Sequence, residues 1–351
     1  MSVDQDYPSA ARKSEGEVAS GEQHASTTLA ALAGRSLLSN SGIPLDLSWV
    51  QNVRVNTSAV ERRALTQVAR RTVKKEWQAA WLLRAISCMD LTTLSGDDTE
   101  DRVRRLCAKA RQPIQQDLVQ KLGIEGLRIK VGAVCVYHTF VETAVRALEG
   151  SGVQVAAVST GFPAGLSPFN ERVGEIRRSV EAGANEIDVV ITRAHVFGGR
   201  WQALYDEVAT FKQAAGAAHM KVILGTGDLL TFRNVARASF VAMMAGADFI
   251  KTSTGKEPTN ATLPVSLVMV RAIREYAQQT GMAVGFKPAG GIRTAKQSID
   301  WLAMMKEELG LSWTRNERFR FGASGLLGDI ERQLEHQATG RYSAEYRHPI
   351  A

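Results

Sequence analysis

"ADFIKTSTGK", residues 247–256, places a lysine at the end of a short apolar run and follows it with a polar turn that contains glycine. "VGFKPAGG", residues 284–291, repeats the arrangement with an apolar run, Lys287, and then proline and glycine. Runs this short and this apolar are typical of parallel strands that are buried on both faces. The two segments therefore predict two buried strands, with Lys251 and Lys287 at their carboxyl ends.

Runs of the same kind recur along most of the chain, eight in all. They are "WLLRAISCMD" near 81–90, "RIKVGAVCV" at 128–136, "VQVAAVST" at 153–160, "EIDVVI" at 186–191, "HMKVILGT" at 219–226, "DFIKTST" at 248–254, "MAVGFKPAG" at 282–290 and "RFRFGAS" at 318–324. Stretches with helical spacing separate them, and several of these stop at glycine, a common helix terminator. Eight strand–helix units predict an α/β fold, a (β/α)8 TIM barrel. A doubly wound open sheet is the alternative, because periodicity does not reveal whether the sheet closes.

The barrel does not account for the whole chain. Residues 1–44 are rich in Ser, Ala, Gly and charge and have few large apolar side chains, which predicts a disordered leader. Residues 45–342 form the predicted barrel domain, with a helical lead-in over 57–84, and 343–351 form a C-terminal tail.

Composition narrows the class of protein. The 351 residues are 44% hydrophobic and 23% charged, and the formal net charge of +7 is spread thinly over this length. We read the basic stretch "ERRALTQVARRTVKKEW" at 61–77 as a solvated helix face, so nucleic acid is not expected as a partner. Three separated cysteines without CxxC spacing fit a reducing compartment. With no signal peptide and no apolar stretch of membrane-spanning length, we predict a cytoplasmic enzyme without a membrane partner.

The active site of such a barrel lies at the carboxyl ends of its strands. This places Lys251, Lys287, Asp188 and Asp90 in one layer. A free lysine has a pKa of about 10.4 and attacks a carbonyl only when it is uncharged. A second cation nearby, together with desolvation, lowers that pKa. The sequence therefore predicts a Schiff-base enzyme, with either lysine as the nucleophile at this stage and the carboxylates moving protons through water.

Two loops add a preference for an anionic substrate. "PAGGIRTAKQ" at 288–297 and "GASGLLGDI" at 322–330 each place small residues just before a helix. Backbone N–H groups and the helix dipole meet at such points. Loops after the seventh and eighth strands are where barrels commonly hold phosphate.

These residues resemble the deoxyribose-phosphate aldolase family of class I aldolases, in its longer eukaryotic-type branch. The resemblance runs from about Leu45 to residue 342 through "MDLTTLSGDDTEDRVRRLC", "AVCVY", "GFPAG", "EIDVVI", "FIKTSTGK", "GFKPAGGIRTA" and "FRFGASGLL". It implies reversible cleavage of 2-deoxy-D-ribose 5-phosphate to D-glyceraldehyde 3-phosphate and acetaldehyde, in deoxyribonucleoside catabolism. It implies no cofactor and no metal, and the histidines show no tight metal-ligand spacing.

The resemblance also assigns roles. Lys251 would form the Schiff base, Lys287 would lower its pKa and take part in proton transfer, Asp188 would act with a water as acid and base, and Asp90 would position Lys287. The residues implied to bind substrate are Thr92, which would line the cavity, and Thr254, Gly255, Gly290, Gly291 and Ser324, which would contact the phosphate.

Some positions depart from the family pattern. Gly325 stands where the family usually has a second hydroxyl residue, which weakens the expected phosphate site, and His138 replaces a proline. An aldolase for an unphosphorylated aldehyde is therefore a rival reading, and a catalytically silent barrel that binds RNA or protein is another. The expected partners are phosphorylated sugars and aldehydes. The sequence leaves open a homo-oligomer and which tail tyrosine, Tyr342 or Tyr346, reaches the site.

Overall fold

The computed structural model describes residues 39–70 and 72–349. A parallel sheet of seven strands runs in the order β1 to β7. The strands are β1 Asp90–Thr92, β2 Ala133–Tyr137, β3 Gln154–Ser159, β4 Glu186–Val190, β5 His219–Ile223, β6 Phe249–Lys251 and β7 Gly285–Lys287.

The predicted eighth run closes this sheet on itself. On one side the backbone N–H of Phe286 in β7 donates to Arg318 O at 2.9 Å. On the other side the N–H of Asp90 in β1 donates to Phe321 O at 2.9 Å, and the N–H of Phe321 donates to Cys88 O at 2.7 Å. Residues 318–322 therefore bridge the first and last strands, which confirms the barrel and excludes the open sheet.

Thirteen helices of the described chain surround the barrel or lead into it. They are α1 Leu47–Asn52, α2 Thr57–Arg70, α3 Lys75–Ser87, α4 Glu100–Arg111, α5 Gln116–Leu122, α6 Val141–Leu148, α7 Phe169–Glu181, α8 Arg193–Phe197, α9 Trp201–Ala215, α10 Phe232–Met244, α11 Leu263–Thr280, α12 Ala295–Leu309 and α13 Gly325–Thr339. Their apolar faces pack on the outside of the strands and form the main core. No helix in the described part of the chain is long and apolar enough to cross a membrane.

The first predicted strand was placed too early. Residues 81–87 belong to α3, and the strand itself begins at Asp90. A short buried apolar run cannot be assigned to strand or helix by periodicity alone, and Leu82, Leu83 and Ile86 are buried as they would be in a strand. The helical lead-in predicted over 57–84 therefore extends to Ser87.

Order begins before the predicted leader boundary at residue 44. Asn40 is 2% exposed, and its side chain donates to the carbonyls of Met243 and Ala247 at 2.8 and 2.9 Å. Its backbone N–H donates to Asp248 at 2.7 Å. Residues 39–44 are thus anchored beside the start of β6. The rest of the predicted leader, 1–38, lies outside the described residues.

The predicted tail packs along α13. Arg347 contacts Glu335 and Asp117 at 3.0 and 2.8 Å, and buried His348 contacts Glu335 at 2.8 Å. The extension after the barrel is therefore held by charged side chains as far as the described chain runs.

Candidate active site

Four predicted site residues meet inside the barrel. Lys251 and Lys287 are the last residues of β6 and β7 and are directly paired across the sheet. Asp188 lies in β4 and Asp90 opens β1. All four side chains are buried, and none is more than 3% exposed. Strand alternation points these side chains inward.

One carboxylate oxygen joins the two lysines. Oδ2 of Asp188 accepts from Nζ of Lys251 at 2.8 Å and from Nζ of Lys287 at 2.8 Å. Lys287 also donates to Oδ2 of Asp90 at 2.5 Å. The lysines are therefore unequal, because Lys287 contacts two carboxylates and Lys251 contacts one that it shares.

This difference in contacts shifts the pKa values of the two lysines in opposite directions. Burial lowers the pKa of Lys251, and the charge of Lys287 adds to the decrease, while Asp188 opposes it. Burial also disfavours the charged form of Lys287, but Asp188 and Asp90 outweigh it and raise the pKa of Lys287 well above its usual value. The arrangement favours an uncharged amine at 251 beside a fixed cation at 287.

The carboxylates stay ionised for the same reason. Burial opposes the charge on Asp188, but three lysines hold its pKa well below the usual range. Burial likewise opposes the charge on Asp90, and Lys287 and Arg320 more than offset it, so that its pKa is also lowered. Both groups accept protons only weakly until one of the lysines changes its charge.

Three further buried charges contact this group and were not predicted from the sequence. Lys221 in β5 donates to Asp188 Oδ1 at 3.0 Å and to Glu186 at 2.5 Å. Arg320 donates to Glu186 and to Asp90 Oδ1, both at 2.7 Å. The signal was available, because a lysine in the middle of "HMKVILGT" raises the same question as Lys251 at the end of its strand.

Phe249 lies on the same face of β6 as Lys251, two residues earlier. It is 1% exposed, and its ring occupies the space beside Gly285, where an added Cβ would approach the ring to 2.4 Å. An apolar ring therefore fills the barrel interior beside Gly285. The close approach of this ring explains why a glycine occupies position 285 in the middle of a buried run.

The predicted substrate residues Thr92 and Ser324 are joined to each other. The hydroxyl of Ser324 accepts from the Thr92 N–H at 2.7 Å and donates to the Thr92 carbonyl at 2.8 Å. This pair ties the end of β1 to the start of α13. The Ser324 hydroxyl is thus engaged with backbone, which differs from the expected free phosphate donor.

Thr254 is also engaged. Its N–H donates to both oxygens of the Glu257 carboxylate at 3.0 and 3.1 Å, and its hydroxyl donates to the same group at 2.6 Å. Gly255 and Gly291 have positive φ angles of 87° and 82° and open space where a Cβ would lie. Gly290 has a φ of 79°, and its N–H donates to Gly322 O at 3.2 Å. Gly255 and Gly291, more than the hydroxyls and more than Gly290, leave backbone accessible at the ends of β6 and β7.

The two helix starts predicted to bind an anion differ. At α12 the Gln297 side chain accepts from the N–H groups of Arg293 and Thr294, and the N–H of Ala295 donates to Asp329 at 2.7 Å. The first N–H groups of α12 are therefore occupied by the protein. At the start of α13, no protein acceptor pairs with the N–H of Gly325 among the described residues.

The remaining candidates lie away from this cluster. Tyr342 stacks on His336 at 4.1 Å between ring centroids and is 58% exposed, and Tyr346 is 87% exposed. His138 follows β2 and lies 3.4 Å from Glu175. None of the three contacts the lysines in this structure.

Known proteins match this chain over most of its length. A family model described as DeoC/LacD family aldolase matches residues 84–317. The deoxyribose-phosphate aldolase of Homo sapiens is 56% identical over 314 residues, which are 89% of this chain and 99% of the relative. The deoxyribose-phosphate aldolase of Mus musculus is 58% identical over 312 residues, which are 88% and 98%.

A solved structure agrees. A tetrameric deoxyribose phosphate aldolase from Aeropyrum pernix superposes with a TM-score of 0.54 and 26% identity, covering 80% of this chain and 99% of that one. Together with the barrel and its buried lysine pair, the matches show that this chain belongs to the DeoC/LacD family of aldolases.

Proposed function

We propose that this protein is a class I aldolase that reversibly cleaves 2-deoxy-D-ribose 5-phosphate to D-glyceraldehyde 3-phosphate and acetaldehyde. The observation that carries the proposal is the single Asp188 oxygen at 2.8 Å from both lysine nitrogens. The pKa of Lys251 is lowered and that of Lys287 is raised. The similarity to the human and mouse aldolases supports the substrate.

The first stage is imine formation. The uncharged Nζ of Lys251 attacks C1 of the open-chain sugar, and loss of water gives the iminium. Asp188, which contacts both lysine nitrogens, is placed to pass protons through a water during this dehydration. Lys287 keeps its charge and holds the Lys251 amine neutral before attack.

The second stage breaks the C2–C3 bond. The electron pair of that bond moves into the iminium, the C3 hydroxyl loses its proton to the Asp188–water pair, and C3 leaves as the aldehyde of glyceraldehyde 3-phosphate. The two-carbon enamine on Lys251 then gains a proton at C2. Hydrolysis of the resulting iminium releases acetaldehyde and restores the amine.

The phosphate end of the substrate would lie at the rim formed by Gly255, Gly291 and the start of α13. Positive φ and open space at the two glycines allow close approach of an anion to backbone N–H groups. The N-terminus of α13 adds its dipole at Gly325. Ser324 contributes indirectly, because its hydroxyl fixes the Thr92 backbone.

The assay is cleavage of the phosphorylated sugar, with acetaldehyde as the measured product. We expect Lys251→Arg to abolish turnover, because a guanidinium stays protonated and cannot form an imine. Lys296→Arg on α12 is the matched control, since Lys296 is exposed and, among the described residues, pairs only with Asp300 at 3.0 Å. Turnover by Lys251→Arg at the wild-type rate would refute the assignment.

The same assay with unphosphorylated 2-deoxyribose addresses the rival substrate. Equal kcat/KM for the two sugars would show that the rim does not bind phosphate. A cytoplasmic location and a homo-oligomer are also part of the proposal. Three buried free cysteines fit a reducing compartment, and the tetrameric relative from Aeropyrum pernix supports self-association.

A further inference from the structure

Seven ionisable side chains form one continuous buried cluster inside the barrel, and none is more than 5% exposed. They are Asp90 from β1, Glu186 and Asp188 from β4, Lys221 from β5, Lys251 from β6, Lys287 from β7, and Arg320 from the segment that closes the barrel. We call these residues the charge cluster. The roles proposed above use only four of them.

The charge cluster contains more bases than acids. Three carboxylates face four basic groups, so full ionisation leaves one uncompensated positive charge. An uncompensated charge in a buried site costs several kcal/mol. The charges balance when one base is neutral, and Arg320 cannot be that base because a guanidinium does not lose its proton in proteins.

Geometry selects among the three lysines. Lys287 donates to Asp188 and Asp90, and Lys221 donates to Asp188 and Glu186. Lys251 contacts a single oxygen that it shares with Lys287. The neutral base is therefore Lys251. The charge count of the cluster and the effect of the Lys287 cation on the pKa of Lys251 thus identify the same nucleophile.

The other strands add no charge to this count. The β2 strand brings Cys135 next to the lysines, and burial raises the pKa of its thiol to about 11, so it is uncharged near neutral pH. The β3 strand, "QVAAVS", has no ionisable side chain. The balance is therefore set by the seven groups alone within the described barrel.

We propose that Lys221 is a positioning residue that, paired with Glu186 and Arg320, fixes the charge balance that keeps Lys251 neutral. Lys221 acts through Asp188, whose Oδ1 it contacts while Lys251 contacts Oδ2. Lys221 touches no reacting atom in this arrangement. The proposal deepens the Schiff-base function and rests on it. The same balance favours cleavage of the C2–C3 bond, because the iminium adds a positive charge that collapse to the enamine removes.

The test is the pH midpoint of adduct formation on Lys251, read by peptide mass after treatment with acetaldehyde and cyanoborohydride. Lys221→Met removes one cation, so Lys251 is expected to take up the balancing proton. The midpoint should rise by about one to two pH units, the size of a unit-charge effect at an effective dielectric constant of about 20. Glu186→Gln removes one anion and should lower the midpoint.

The double variant Glu186→Gln/Lys221→Met decides the matter. It removes one charge of each sign from a pair in direct contact at 2.5 Å, so the midpoint should return close to the wild-type value. Lys109→Met is the control, because Lys109 pairs with buried Glu331 at 2.8 Å outside the barrel interior. It should leave the midpoint unchanged.

Two outcomes would overturn the inference. An unmoved midpoint in Lys221→Met, or a double variant displaced as far as that single variant, would show that Lys221 has only a structural role. Should Lys221→Met fail to fold, the Glu186→Gln midpoint carries the test, and a value that stays fixed or rises overturns the inference. Absence of any wild-type adduct on Lys251 would instead overturn the proposed function itself.

Discussion

Replacing Lys287 with methionine removes the cation that shares the Asp188 oxygen with Lys251 while keeping an unbranched side chain as far as Cε. Each nitrogen lies 2.8 Å from that oxygen, so the two nitrogens are at most twice 2.8 Å, about 5.6 Å, apart. With an effective dielectric constant of about 20, two unit charges at that separation repel by about 3 kcal/mol. This corresponds to about two pKa units.

The sign of the effect follows from the charges. Lys287 stays protonated and disfavours the ammonium form of Lys251, so its loss raises the pKa of Lys251. The neutral form of Lys251 predominates only above its pKa, and therefore the acid limb of imine formation moves to higher pH. Well below that pKa, the neutral fraction at a given pH falls by about 100-fold for a shift of about two units.

The assay is the rate of acetaldehyde adduct formation on Lys251, trapped by cyanoborohydride across a pH series. Measuring this half-reaction avoids any later proton transfer that Lys287 performs. Lys296→Met, at an exposed position on α12, controls for loss of a lysine elsewhere. A Lys287→Met midpoint equal to that of wild type would refute the reasoning.

Two further predictions concern glycines. Gly285→Ala should destabilise the fold by about 1–3 kcal/mol, because the new Cβ would lie 2.4 Å from the Phe249 ring, and chemical denaturation measures the loss. Gly126→Ala, with open space at its Cβ, is the control, and equal stability of the two variants would contradict the packing argument. Gly325→Ser adds a hydroxyl in open space at the start of α13. It should lower KM for the phosphorylated sugar by about 10-fold, since a hydrogen bond to a charged group contributes about 1.5–3 kcal/mol. KM for 2-deoxyribose should stay unchanged. A parallel change in both KM values would show that phosphate does not bind at the start of α13.

The barrel could be predicted because its strands are short, apolar and separated by helices that end at glycine. The runs at 133–137, 154–159 and 186–190 occupy the predicted positions within a few residues. The first strand was misplaced because its apolar residues belong to a buried helix, and the two patterns look alike over a few residues. Closure of the sheet could not be read from the sequence, since it depends on hydrogen bonds of Phe321 with Cys88 and Asp90, which are far from it in the chain.

Lys251 and Lys287 could be predicted as site residues because a lysine at the end of a buried strand is conspicuous. The contacts of Lys221, Glu186 and Arg320 were missed because Glu186 begins its strand and Arg320 lies in the closing segment, where charged residues usually face solvent, so Lys221 had no evident partner in the sequence. Only the closed barrel brings them together. The predicted phosphate contacts of Thr254 and Ser324 also differ from the structure, because both hydroxyls donate hydrogen bonds to other groups of the protein.

The central claim is that an uncharged amine at position 251 captures the sugar aldehyde. The direct measurement is to incubate the protein with 2-deoxyribose 5-phosphate, reduce with borohydride, and locate the adduct by peptide mass. The account predicts a stable adduct on Lys251 and an unmodified Lys287, because Lys287 is held as a cation by Asp90 and Asp188. An adduct on Lys287 with Lys251 unmodified would contradict it.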